Sequence, residues 1–151
     1  MDALAGRPRR SVRLAAFLFG LSGVGNGITT PLILWSYERN GYLPEAPFDL
    51  GFRLMAGPFE ELGSDLFVTL GWTLFTVSVL DVIAAVLLWR GARSGAALGV
   101  VTSPVVFALG IGFAVPFLLV TAVIRVVLIA AGWSSLTWSS AKTTTTSREK
   151  S

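Results

Sequence analysis

Two charged side chains, Asp81 and Arg125, stand alone inside long apolar stretches of the sequence. Either one, unpaired at the centre of a lipid bilayer, would cost at least about 2.5–3.5 kcal/mol. Asp81 lies nine residues before Arg90, which is about 13 Å along an α-helix. Arg125 lies eight residues before Trp133, which is about 12 Å. Opposite charges at the same depth predict a buried ion pair.

Neutral polar residues lie at a similar depth in the other apolar stretches. Ser22 and Thr102 lie about 12–14 Å from the same edge, and Asn26 lies about one helical turn further away, as does Thr121. These side chains could close a hydrogen-bonded network that satisfies the two charges and sets the helix register. They could equally line a cavity for an anionic headgroup, a small polar ligand or a proton, because ionisable residues inside a membrane often mark functional sites. The predicted ligand-binding or structural polar layer consists of Asp81, Arg125, Asn26, Ser22, Thr102 and Thr121.

The glycine-rich stretch FGLSGVGNGITTP, residues 19–31, is a second candidate site. A phosphate-binding loop needs a strand, a glycine turn and a helix whose first N–H groups meet the anion, and the P-loop form also needs a lysine. This stretch has no lysine and lies inside an apolar run. Nucleotide binding is therefore not favoured.

The spacing of the small residues indicates helix packing instead. Positions separated by four, three and four residues share one face of a helix, and small side chains on that face let a neighbouring helix approach closely. A similar face recurs in the third apolar stretch. These faces predict a compact bundle and offer a surface for self-association. The predicted helix-packing residues are Ala16, Gly20, Gly23, Gly27, Gly95 and Gly99.

The composition limits the chemistry that the chain can perform. Its 151 residues include no cysteine and no histidine, which excludes disulfides, thiol chemistry, Cys or His metal sites and Ser-His nucleophile pairs. Only 14% of residues are charged and 53% are hydrophobic, whereas a soluble domain has about 25% charged residues. The basic residues flank apolar segments, where they orient membrane spans, so nucleic acid is not an expected partner. The lipid bilayer is an expected partner. Neither a cofactor nor a metal is expected.

Four stretches are long and apolar enough to span a bilayer, which takes about 20 helical residues. The first follows a basic arm but exceeds the apolar part of a signal peptide, and no A-x-A-like cleavage site follows it, so we expect it to be retained. The last two are separated by a predicted turn at Gly110-Ile111-Gly112, with a restart near Pro116. The predicted fold is an all-α, integral membrane, four-transmembrane-helix up-down bundle. Its spans are 14–36, 66–89, 94–110 and 113–133, within a single domain of residues 1–133 that precedes a flexible tail, 134–151.

The polar segment 38–65 is predicted to form a structured outer loop. Phe48, Phe52 and Met55 have helical spacing, which indicates a short interfacial helix over the mouth of the bundle. An ordered apolar lid of this kind favours binding of a protein partner. The carboxylates that could bind a hard cation, although without EF-hand spacing, are Glu60, Glu61 and Asp65.

Lysine and arginine placement predicts the orientation. The N-terminal arm, the 90–93 turn and the tail carry the basic clusters, and in a four-span chain all three lie on one side. By the positive-inside rule that side is cytoplasmic, so both termini are expected in the cytoplasm. The membrane is expected to be the inner, cytoplasmic membrane of the cell.

The leading functional hypothesis is a non-enzymatic accessory or interaction subunit of a membrane complex, with a membrane protein or a second copy of the chain as partner. The alternative is a small transporter or a ligand- or lipid-binding bundle that uses Asp81 and Arg125. A membrane enzyme is least favoured, because no catalytic constellation is visible without histidine or cysteine.

Overall fold

A computed structural model describes residues 10–45 and 53–136 of the chain. In these two ranges the regular secondary structure is helical, and an isolated bridge joins Glu45 to Arg53. The four long helices are α1, Arg10–Asn40; α2, Ser64–Trp89; α3, Arg93–Gly112; and α4, Pro116–Gly132. Short 3₁₀ helices occupy Pro58–Leu62 and Trp133–Ser135.

All four long helices are long and apolar enough to cross a membrane, with α4 counted together with the 3₁₀ turn that continues it. A helix suits the bilayer because it satisfies its own backbone N–H and C=O groups, for which lipid offers no partner. The predicted all-α class with four spans is therefore confirmed.

The predicted turn at Gly110-Ile111-Gly112 is wrong. α3 continues through Gly112, the turn is formed by residues 113–115, and α4 begins at Pro116 rather than at position 113. The reason is that Gly110 serves close packing: a methyl group added there would lie 3.0 Å from the Cβ of Leu118. Proline fits the first turn of α4 because an N–H at that position has no partner within the helix.

The other spans differ from prediction mainly at their ends. α1 extends beyond both ends of 14–36, because the polar residues that flank the apolar run continue the helix. The start of the tail is also structured: Leu136 is buried, and its carbonyl oxygen accepts a hydrogen bond of 2.9 Å from Arg93 Nε. The rest of the predicted tail, 137–151, lies outside the described residues.

The helices pack in a ring in which α1 and α3 each lie between α2 and α4, so that α2 and α4 occupy opposite corners. Contacts join residues early in one helix to residues late in the next. Gly20 of α1 faces Ala85 near the end of α2, and Leu34 of α1 faces Gly71 near its start. α1 and α2 therefore run in opposite directions at these contacts.

The two ends of the bundle differ in charge. The basic end contains the starts of α1 and α3 and carries Arg10, Arg13, Arg90 and Arg93, with no carboxylate among the residues that the structure describes there. The acidic end is the opposite one, and its described charged residues are Glu38, Arg39, Glu45, Arg53, Glu60, Glu61 and Asp65.

Part of the outer loop can be compared with prediction. Phe48 and Phe52 lie outside the described residues, while Met55 is buried in a turn with a φ of 61°, so the helical prediction is wrong at that position. A left-handed φ is incompatible with a continuing α-helix. Phe59 from the 3₁₀ helix packs edge-on against Phe113 at 5.1 Å between ring centres. This part of the loop is thus packed onto the turn between α3 and α4.

The buried interior divides into two apolar clusters with polar residues between them. One cluster lies toward the acidic end and includes Phe67 and Phe113. The other lies toward the basic end and includes Phe19 and Leu88. Along α2 the apolar positions 67–77 precede the buried polar residues Ser78 and Asp81, and positions 84–88 follow them.

Candidate functional site

Asp81 of α2 and Arg125 of α4 meet inside the bundle. The Nη1 atom of Arg125 lies 2.5 Å from the Oδ2 atom of Asp81. Arg125 is 0% exposed and Asp81 is 2% exposed. Because α2 and α4 occupy opposite corners, the arginine side chain crosses the centre of the bundle to reach the carboxylate.

Thr102 of α3 engages the second carboxylate oxygen. Its hydroxyl lies 3.2 Å from Asp81 Oδ1 and 3.3 Å from the carbonyl oxygen of Gly99 on its own helix. Both oxygen atoms of Asp81 therefore have a partner from another helix. A buried carboxylate needs this degree of satisfaction, since leaving it unpaired is costly.

α1 contributes an aromatic ring to the site, which sequence reasoning missed. The guanidinium carbon of Arg125 lies 4.3 Å from the centre of the Phe19 ring. A cation over an aromatic face is attracted by the ring quadrupole, and the attraction is strongest where water is excluded. Phe19 precedes the predicted Ser22 by three residues and so shares its helix face, which is the signal that could have identified it.

Gly99 makes room for this ring. A methyl group added at Gly99 would overlap the Phe19 ring, so a larger residue would displace it from Arg125. The predicted packing role of Gly99 and the electrostatics of the site are therefore linked through Phe19.

Two nitrogen atoms of the arginine remain without a hydrogen bond. Nε and Nη2 of Arg125 are buried and have no hydrogen-bond partner among the described residues. Two interactions nevertheless compensate the positive charge: the Asp81 carboxylate at one nitrogen and the Phe19 ring on one face.

The structure does not bring Asn26, Ser22 or Thr121 into the ion-pair network. The side-chain nitrogen of Asn26 donates to the carbonyl oxygen of Ser22 at 2.8 Å and lies 3.3 Å from its hydroxyl. Thr121 donates to the carbonyl oxygen of Phe117 at 2.7 Å. Both side chains satisfy themselves on their own helix, which polar side chains inside helices commonly do. The network is thus narrower than the predicted six-residue layer.

Two further buried hydroxyls close to the ion pair went unnoticed in the sequence. Ser78 donates to the carbonyl oxygen of Leu74 at 2.7 Å, and Ser103 donates to that of Gly99 at 2.6 Å. They lie at the level of the ion pair but are satisfied within their own helices. Serine is small and weakly polar, so nothing in its spacing distinguished these two from lipid-facing hydroxyls.

The small-residue faces are used inside the bundle. A methyl group at Gly23 would lie 2.7 Å from the carbonyl oxygen of Ser78, and one at Gly95 would lie 2.6 Å from the Cβ of Leu87. Gly20 and Gly27 also face α2, at 3.7 Å from Ala85 and 3.8 Å from Ser78. The surface predicted for self-association is therefore occupied by contacts within the chain. Ala16, the remaining member, is 2% exposed.

Two cavities lie away from the ion pair. One of about 130 Å³ lies toward the acidic end, where Asn26, Ile33 and Met55 are among its lining residues. The other, about 500 Å³, is a groove between α3 and α4, with Ser103 and Ala122 among the residues that line it. Neither has Asp81 or Arg125 in its lining.

The carboxylates considered as cation ligands do not converge. Among the described residues, no three Asp, Glu, His or Cys side chains form a group that could hold a metal ion. Glu60 instead forms a two-point ion pair with Arg53, at 2.8 and 3.1 Å.

Comparison with protein-family models, with curated proteins and with solved structures finds no significant match for this chain.

Proposed function

We propose that this chain is a non-enzymatic interaction subunit of a membrane complex, with a membrane protein or a second copy of the chain as its partner. The observation that carries the proposal is the closure of the Asp81–Arg125 site. Both side chains are buried, and both carboxylate oxygens are already engaged by Arg125 and Thr102. A site that binds or transports a ligand must open to it.

Opening this site would be expensive. Separating a buried ion pair leaves uncompensated charge, which costs about 3–5 kcal/mol for loss of one partner. The stacked Phe19 ring and the close approach at Gly99 would have to move as well. These contacts favour a structural role for the Asp81–Arg125 pair, in which it holds the helices in register, over a role in ligand binding.

A partner would have to bind on the lipid-facing surface or at the outer loop, since the small-residue faces are occupied. The groove between α3 and α4 is suited to a partner's transmembrane helix. Its lining includes the buried small residues Ser103 and Ala122 and the exposed, stiff side chains of Val123 and Val127. In lipid, helices associate by close packing, and β-branched side chains lose little rotamer freedom when they pack.

The location of the chain belongs to the same proposal. With four arginines and no described carboxylate, the basic end is expected to face the cytoplasm across a cell's inner membrane. Both termini would then be cytoplasmic, and the outer loop would face outward.

Cysteine cross-linking can test the proposed partner surface, because the sequence contains no cysteine. Val123→Cys places one thiol in the α3–α4 groove. Val79→Cys is the matched control: it precedes Asp81 by two residues, as Val123 precedes Arg125, and lies exposed on the opposite corner helix. In native membranes, a cross-linker with a maleimide at one end and a photoreactive diazirine at the other should join V123C, but not V79C, to a partner. Equal yields at the two positions, or none at V123C, would contradict the proposal.

One observation favours the alternative of a transporter or ligand-binding bundle: the two Arg125 nitrogen atoms without hydrogen bonds. Ser78→Cys distinguishes the two functions, because Ser78 is buried beside the ion pair. We expect a water-soluble maleimide to leave this thiol unmodified in intact membranes and to label it after unfolding. Rapid labelling in the folded protein would reveal a water path and support the alternative.

A further inference from the structure

Arg90 at the basic end has no acidic partner among the described residues. The described ion pairs are Arg53 with Glu60 and Arg125 with Asp81. The remaining described carboxylates lie at the acidic end, across the bundle from Arg90. An exposed guanidinium without a carboxylate is available to an anion from outside the protein.

The side chain of Arg90 borders a groove between α1 and α2. This Arg90 groove has a volume of about 250 Å³ and is lined by Ala16, Ala85, Val86, Trp89 and Arg90. Ala16 and Ala85 in its lining are buried, whereas Val86 and Trp89 are exposed. It is therefore a mainly apolar groove with one exposed arginine among its lining residues.

The chemistry of the groove matches an anionic lipid better than a soluble anion. Guanidinium binds phosphate oxygens in a two-point geometry. Tryptophan is favoured at the level of lipid headgroups, and Trp89 is exposed there beside Arg90. A soluble anion would make no use of the exposed apolar side chains of Val86 and Trp89, whereas an acyl chain would cover them. Basic pockets between transmembrane helices are a known mode of anionic headgroup binding.

We propose that an anionic phospholipid binds in the Arg90 groove. Its phosphate lies at the guanidinium of Arg90, and an acyl chain follows the groove against Val86 and Trp89. This site is independent of the proposed partner surface, which lies between α3 and α4.

The acidic end supplies a matched control. Arg39 lies over the ring of Trp35, with its guanidinium carbon 5.3 Å from the ring centre. It is also an exposed arginine beside a tryptophan, but it lies among carboxylates. A general preference of exposed Arg–Trp pairs for anionic lipid would appear at both ends.

Bromine quenching of Trp89 fluorescence tests the proposal in vesicles. The full chain is reconstituted with phosphatidylglycerol or phosphatidylcholine brominated on the acyl chains, and Trp89→Phe identifies the contribution of Trp89. One arginine near anionic lipid contributes about 1 kcal/mol, which corresponds to roughly fivefold enrichment. We expect this preference for phosphatidylglycerol at Trp89 in the wild type and its loss in Arg90→Gln. Arg39→Gln should retain it.

Three results would overturn the proposal. The first is equal quenching of Trp89 by the two lipids in the wild type. The second is loss of the preference in R39Q to the same extent as in R90Q. The third is abolition of the preference by soluble glycerol phosphate, which would indicate a site for free phosphate. Brominated phosphatidylcholine provides the folding control for R90Q. If R90Q is folded, this lipid should quench Trp89 equally in R90Q and in the wild type. A changed value would mean that misfolding explains the lost preference, and it would count against the site.

Discussion

Phe19 and Arg125 face each other across the interior of the bundle, with the guanidinium carbon 4.3 Å from the ring centre. The same guanidinium donates to Asp81, so α1, α2 and α4 meet at one side chain. α3 joins them through Thr102, which donates to the same carboxylate. Removing any of these side chains should therefore loosen all four helices.

Phe19→Leu should lower the free energy of unfolding by about 2 kcal/mol, because the desolvated cation loses its aromatic face. Phe17→Leu is the matched control, since Phe17 is 57% exposed and two residues away on the same helix. It should change stability by no more than about 0.5 kcal/mol. Titration with sodium dodecyl sulfate in mixed micelles measures both values. Equal losses would show that the contact of the Phe19 ring with Arg125 adds nothing to stability.

The ion pair can be measured with a double-mutant cycle. Asp81→Asn and Arg125→Met should each cost about 3–5 kcal/mol, because each leaves an unpaired polar or charged group in the interior. The double variant should cost less than the sum, with a coupling energy of about 1–3 kcal/mol. Additive costs would mean that the pair contributes no stability.

Glu60→Gln provides the control for the cycle. It breaks the ion pair with Arg53, whose side chain is half exposed, so its cost should stay below about 1 kcal/mol. A cost as large as that of D81N would show that burial does not set the energy of these pairs.

Gly23→Ala should destabilise the protein by about 1–3 kcal/mol, because its methyl group would lie 2.7 Å from the backbone oxygen of Ser78. Gly25 has no atom within 4 Å of an added methyl group. Gly25→Ala should therefore raise stability by up to about 1 kcal/mol through helix propensity. Opposite signs for substitutions two residues apart are the expected result of unfolding titrations. A loss in both variants would argue against close packing at Gly23 as the cause.

Ala114→Gly should stabilise the chain by about 1 kcal/mol. Ala114 has a φ of 50°, a left-handed conformation that is unfavourable for residues with a Cβ atom. Ala108→Gly, at an exposed position within α3, should have the opposite effect by about 1 kcal/mol. Unfolding titrations of the two variants compare them directly, and destabilisation by A114G would contradict the observed turn.

Much of the architecture could be predicted from the sequence, because spanning helices depend on length and apolar composition. The depths of Asp81 and Arg125 could also be predicted, since depth follows from counting along a helix. What counting does not supply is the direction in which a side chain points around the helix axis. Asn26 therefore lies close to the predicted depth but forms its hydrogen bonds within its own helix. Phe19, not a polar residue, is the side chain of α1 that contacts the ion pair.

The end of α3 was unpredictable for a different reason. Glycine is common both in turns and where helices approach closely. The presence of Gly110 and Gly112 therefore does not distinguish a turn from a packing contact. Only contacts with a distant part of the chain decide between the two, and here Leu118 and Phe59 occupy the space beside these glycines. The prediction of a helix at Met55 was also wrong, and it has the same origin in contacts that come from elsewhere in the fold.

The crossing of the bundle by Arg125 has a consequence for how the chain is made. The two members of the pair are 44 residues apart, whereas Thr102 lies 21 residues after Asp81. During synthesis, Asp81 therefore enters the bilayer first, meets the hydroxyl of α3 next and receives its counter-ion only when α4 has been inserted. A chain released before α4 would retain an unneutralised acid inside the lipid. An unfinished copy that contains α2 but not α4 thus carries an unpaired acid, which the complete chain does not.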